Sequence, residues 1–130
     1  MALIASLGKK YKTTTIYTSS ATTQAEGDIT LTDSISNYDY LKFTFTVVSG
    51  SQDECSIICG VEEFKQLVSS TADNEFTGLQ SPSVRYSGAT YTRQIHYIDD
   101  TTIHLGPCLI INNTGIYNTG SLLTKIEGIV

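Results

Sequence analysis

The side chains of this chain best suited to chemistry are three adjacent carboxylate pairs and a set of thiol and imidazole groups. The pairs are Asp53-Glu54, Glu62-Glu63 and Asp99-Asp100; the others are Cys55, Cys59, Cys108, His96 and His104. Glycoside hydrolysis needs two carboxylates facing each other across a sugar, roughly 5 to 10 Å apart, one of them kept protonated by an apolar wall. Chain neighbours on a strand point to opposite faces, and neighbours in a turn both point to solvent. The acidic pairs therefore suit turns and solvated loops better than hydrolysis, and no catalytic residue is assigned.

A zinc site needs four nitrogen or sulfur ligands. Cys55 and Cys59 are four residues apart, which on a strand separates them by about 13 Å at a rise of about 3.3 Å per residue. That is too far for one ion. Three cysteines also leave one over from any disulfide scheme, so small buried thiols in a reducing compartment are expected. Nucleophilic catalysis would need a histidine relay, which nothing in the spacing indicates. No glycine-rich phosphate loop occurs. No enzymatic activity, metal or cofactor is expected.

Sugar rings are bound by aromatic faces with a few fixed polar groups. The chain has no Trp but eight Tyr, so any such site must be built on tyrosine. Tyr86, Tyr91 and Tyr97 lie close in sequence to Arg85 and Arg93, and Tyr117 sits in a Gly- and Asn-rich stretch. Tyr86, Tyr91, Arg93, Tyr97 and Tyr117 are thus the candidate ligand-binding residues.

The elements that must position these groups read as strands. Tyr40 to Val47 alternates without a break: Leu41, Phe43, Phe45 and Val47 point one way, and Tyr40, Lys42, Thr44 and Thr46 the other. We take this as the central strand, its apolar face toward the core. The wet face, Tyr40, Lys42, Thr44 and Thr46, is the candidate subunit interface. Ser and Thr make up about a quarter of the chain, which favours strands and turns over long helices. Further strands are expected at Tyr11–Thr18, Asp28–Thr32, Cys55–Val61, Val84–Tyr86, Ala89–Ile98, Ile103–Leu105, Cys108–Ile111 and Ser121–Val130, with one short helix at Val61–Ser69. For the hairpin at Asp99-Asp100-Thr101-Thr102, a four-residue loop pairs Ile98 with Ile103 and sends His96 and His104 to opposite faces.

About eight strands with at most one short helix predict a single all-β domain, a two-sheet β-sandwich of jelly-roll type, over residues 1–130 after a short N-terminal segment, 1–10. The 130-residue length is enough for a self-sufficient core. Eight basic against 13 acidic residues, a net charge of -5, argue against nucleic acid as a partner. No apolar run reaches the roughly 18 residues of a membrane span, and Ala2–Leu7 is too short for a signal-peptide core. A product made in a cytoplasm is expected.

Leu31-Thr32-Asp33-Ser34-Ile35-Ser36-Asn37-Tyr38-Asp39-Tyr40, followed by an amphipathic strand, resembles a pattern in tail-fibre and baseplate proteins of phages and prophages of Gram-positive hosts. Arg93, the run Asp100-Thr101-Thr102-Ile103-His104-Leu105 and the ending Lys125-Ile126-Glu127-Gly128-Ile129 are similar to later strands of the same domain, so the resemblance spans residues 15–130. It implies a virion protein, a jelly-roll or related sandwich, a homotrimer contacting other virion proteins, with host-surface saccharide as ligand. Tail-fibre chains carry an upstream stalk, whereas about ten residues precede the first expected strand. Docking through the domain's own faces is therefore expected. The alternatives are a capsid decoration or head-fibre protein and a lectin-like carbohydrate-binding module.

Overall fold

A computed structural model of the chain describes residues 11–46, 54–68, 78–81, 84–86, 89–110 and 120–130. Among them are eleven strands: β1 (Thr13–Thr18), β2 (Gly27–Thr30), β3 (Tyr40–Thr46), β4 (Glu54–Gly60), β5 (Leu79–Gln80), β6 (Val84–Tyr86), β7 (Ala89–Thr92), β8 (Gln94–Asp99), β9 (Thr102–Leu105), β10 (Leu109–Ile110) and β11 (Leu122–Ile129). One helical turn, α1 (Val61–Phe64), follows β4, and a 3-10 turn covers Ile35–Asn37. The all-β sandwich predicted from the alternation is the architecture observed. The first sheet runs β1-β11-β3-β4 and the second β2-β9-β8-β5, with a smaller sheet β10-β7-β6 beside them. Every pair is antiparallel. β1 and β3 flank the last strand in the first sheet while β2 crosses to β9 in the second.

The core forms where the two larger sheets face each other. β3 supplies Leu41, Phe43 and Phe45, and β11 supplies Leu123 and Ile126; β8 and β9 answer with Ile95, Ile103 and Leu105, and Phe64 of α1 closes one end. Burying each such side chain contributes about 1.5–3 kcal/mol. β3 sits between β11 and β4, with Phe43 opposite Ile126 on one side and Ile57 on the other. That central place is the one its period-two pattern predicts; Val47, the last of the expected stripe, lies outside the described residues. Phe64 touches both sheets' residues, its ring 5.4 Å from Phe43 and 6.2 Å from Tyr97 between centroids. No helix of the described residues is long and apolar enough to cross a membrane.

Two expectations are corrected. Ala89–Ile98 is not one strand. It breaks at Arg93, where the chain leaves the small sheet as β7 and enters the second sheet as β8. The β8–β9 hairpin also has another register. Asp99 pairs with Thr102, Tyr97 with Ile103 and His96 with His104, with a bulge at Ile98. Asp99 Oδ1 accepts the Thr101 amide at 2.9 Å and its hydroxyl at 3.2 Å, which draws the loop down to two residues. The bulge then absorbs the extra residue, leaving Ile98 exposed while Tyr97 and Ile103 keep the core side. A period-two argument cannot anticipate a bulge, because a bulge shifts the phase.

Candidate functional site

The loop that carries the resemblance is built around one carboxylate. Asp33 Oδ1 accepts the Ser34 amide at 2.8 Å and the Asn37 side-chain amide at 2.9 Å, and Asp33 Oδ2 accepts the Tyr38 hydroxyl at 2.6 Å. Ser34 caps the 3-10 turn, its Oγ accepting the Ser36 amide, and Ile35 drops into the core. The Tyr38 ring lies over Gly128 of β11, where a Cβ would overlap the ring carbons. Asp33, Ser34 and Asn37 thus hold the loop, and the aromatic fastens it to the last strand.

The Tyr38 bond, then the Ser34 amide, hold the Asp33 carboxyl below the usual carboxylate value; burial opposes them and Asn37 adds to them. The same bond raises the Tyr38 phenol. A carboxylate depressed in the folded state contributes stability that is present above its ordinary value, about 3.9, and lost as pH falls through the folded value. Asp33→Asn should therefore flatten the acid limb of the stability curve below pH of about 4. Urea unfolding of both proteins across that range checks this. Parallel curves would show that the loop owes nothing to the ionised carboxylate.

The candidate ligand-binding residues whose side chains are described, Tyr91, Arg93 and Tyr97, do not form one exposed site. Arg93 is fully buried at the sheet switch, and Tyr91 is 6% exposed, its ring against Gly120. Neither can face a saccharide, which corrects their assignment. Arg93 Nε and Nη2 donate to the Gly106 carbonyl at 3.1 and 2.9 Å, Nη1 to the Ser121 carbonyl at 2.9 Å, and Nη2 also to the Gln24 carbonyl at 2.7 Å. Its guanidinium is consumed in joining three chain segments. Burial lowers its pKa, with Cys108, Tyr17 and Glu26 opposing. Tyr97 turns to the core against Phe64, and its hydroxyl donates to Asp100 Oδ1 at 2.7 Å, a bond that with burial pushes the phenol up to about 12. Tyr86 pairs with Ala89 at the end of β6, and its side chain is not described. Tyr117 lies outside the described residues, as does Asp53 of the first acidic pair.

The other face of β3 is as the alternation predicts, but drier. Tyr40, Lys42 and Thr46 are half-buried, and Thr44 is 6% exposed with its hydroxyl 3.1 Å from that of Ser56. Beside them lie Ile58, opposite Lys42 and 40% exposed, and Glu127, opposite Lys42 on the other flank and 3.5 Å from Lys125. This is a mixed face of threonine, opposite charges and one exposed isoleucine.

The thiols are free: Cys108 is buried, and Cys55 and Cys59 are half-buried on the core side of β4, opposite Phe45 and Leu41. Burial raises Cys59 and Cys108, the reverse of what a reactive thiolate requires.

The hairpin register creates a constellation that the sequence reading separated. His96 and His104 are directly paired with ring centroids 6.3 Å apart. Asp28 of β2 pairs with His104 from the other side. His104 Nδ1 is 2.8 Å from Asp28 Oδ1 and Nε2 is 3.0 Å from Glu26 Oε2. No group of three or more potential metal ligands with suitable geometry occurs among the described residues. The one signal for this cluster was the Asp99–Thr101 turn chemistry, which fixes the register that puts both imidazoles on one face.

In comparison with known proteins, the chain matches no family model and no curated protein sequence.

Proposed function

We propose that this protein is a structural subunit of a phage virion, tail- or baseplate-associated, which assembles as a trimer through the outer face of its first sheet. The virion part of the reading rests on the resemblance of residues 31–40 to tail-fibre and baseplate proteins, and the observation that carries the assembly part is that face. It presents Lys42, Lys125 and Glu127 in a charge pattern that can complement a copy of itself, with Ile58 exposed beside Lys42 and the half-buried Thr46 at the end of β3. Subunit contacts favour an apolar centre within a polar rim. The way the Asp33–Tyr38 loop is built is compatible with the same reading: its polar groups bond within the loop and so stabilise the sandwich, as suits a scaffold.

A trimer in light scattering at micromolar concentration is the expected result. Ile58→Asp should weaken association by at least about tenfold, or about 1.4 kcal/mol, with an unchanged far-ultraviolet circular dichroism spectrum. A monomeric wild-type protein would overturn the assembly. Neighbouring tail or capsid genes are expected, and a setting among polysaccharide-utilisation genes would favour a lectin-like module instead. A glycan array tests host-surface saccharide separately: a silent array removes the receptor role and leaves the structural one.

A further inference from the structure

We infer that the row Asp28–His104–His96 across the second sheet, with Glu26, is a pH-tuned latch that keeps one proton on two imidazoles and fastens the edge strand β2 most firmly near neutrality. The geometry is the starting point. An ionised carboxylate can only accept hydrogen bonds, and both ring nitrogens of His104 lie within hydrogen-bond distance of one. The arrangement is complete only when both nitrogens carry hydrogen, that is, as imidazolium. Among the described residues β2 pairs with β9 alone, so this cation ties the edge strand, through Asp28, and the segment entering it, through Glu26, to the sheet.

The second imidazole sets the acid side. His96 stands next to His104 in the same row, and its ring is half-buried against Gly78, in the space a Cβ there would need. A second proton would put two cations at neighbouring positions of one sheet face. Among the described residues, the charged and titratable groups facing His104 are Asp28 and Glu26 from the β2 side and His96 from β8; buried Arg93, just before β8, couples to Glu26. On the hairpin itself Asp99 lies further off, bound to Thr101.

For His104 burial works against the charge, but Asp28 and Glu26 outweigh it and the pKa is raised. For His96 burial first, then the charge of His104, lower it, with Glu26 partly opposing. The folded protein therefore carries one proton on the pair over a window bounded above by His104 and below by His96. In the unfolded chain both titrate near 6.5 and bind one proton between them at about that pH.

Above this pH the folded state binds more protons than the unfolded, so stability falls as pH rises and the His104 contribution is lost through its raised value. Below it the unfolded state binds more, so stability falls as pH drops and the His96 contribution is lost through its lowered value. Opposite shifts on two paired histidines thus give a maximum near pH 6.5, where a single shifted histidine gives a one-sided slope.

The test is an NMR titration of both rings together with hydrogen exchange of the Ile29 and Thr30 amides, corrected for intrinsic rates. Two resolved titrations, His104 above about 6.5 and His96 below it, are expected. Protection of β2 should peak between them, falling on the alkaline side by up to about tenfold for each pH unit by which His104 is raised. Glu26→Gln with Asp28→Asn should bring His104 down to or below 6.5 and abolish the alkaline limb; His96→Gln should abolish the acid limb alone. Two histidines titrating together near 6.5, or β2 protection that does not vary with pH, would overturn the latch. So would a pH maximum that survives the double substitution.

Discussion

Arg93→Met should destabilise the protein by about 3–5 kcal/mol, the sum expected when three buried carbonyls lose their donor at about 1–3 kcal/mol each and the guanidinium's own desolvation is relieved. Methionine fills much of the same volume, so the loss is not mainly a cavity. What it cannot replace are the bonds to the carbonyls of Gly106, Ser121 and Gln24. A buried acceptor left unpaired costs about 1–3 kcal/mol, and relief of the guanidinium's own desolvation returns part of the sum. Arg93→Lys should recover little, because an ammonium has three donors at one point and cannot span carbonyls on three segments. Against a total stability of about 5–15 kcal/mol, the methionine variant sits near the limit of folding. Chemical denaturation checks both, with thermal melting as a second readout if the folded baseline is lost. A loss below about 1 kcal/mol for Arg93→Met would show that solvent or relaxed backbone satisfies those carbonyls, and that the arginine is not the joint of the fold.

Gly128→Val should be the second large effect, about 1–3 kcal/mol or more, because the site is filled by the Tyr38 ring. A branched side chain must expel the ring, and with it the 2.6 Å bond from the Tyr38 hydroxyl to Asp33. A glycine inside a strand is unfavourable in itself, so without the ring a larger residue should be tolerated. A double-mutant cycle tests this. In a Tyr38→Ala background the penalty of Gly128→Val should shrink by at least about 1 kcal/mol, the coupling expected of residues in direct contact. Additive effects would mean that the ring and the glycine are not coupled. Gly120 and Tyr91 form a second pair of the same kind just before the last strand, so both ends of β11 are covered by a tyrosine lying on a glycine.

The sequence by itself determined the sandwich, the central strand and its faces. Side-chain direction alternates with every residue, so Tyr40–Thr46 declares its own inside and outside, and no neighbour is needed to read it. The bonds of Asp33, Ser34 and Asn37 within their own loop are likewise local, since Asp, Ser and Asn bond to nearby backbone whatever lies beyond.

Everything that depends on which distant residue comes opposite was decided by tertiary structure. Arg93 reads as a surface cation near tyrosines, and only the meeting of residues 24, 106 and 121 around it makes it a core residue. His96 and His104 read as opposed, and a single bulge at Ile98 turns them onto one face. Tyr38 has its seat on Gly128, ninety residues away, which nothing in its own stretch of sequence specifies. Local chemistry is encoded locally, whereas a partner across the sheet is specified by register, which one inserted residue can reverse.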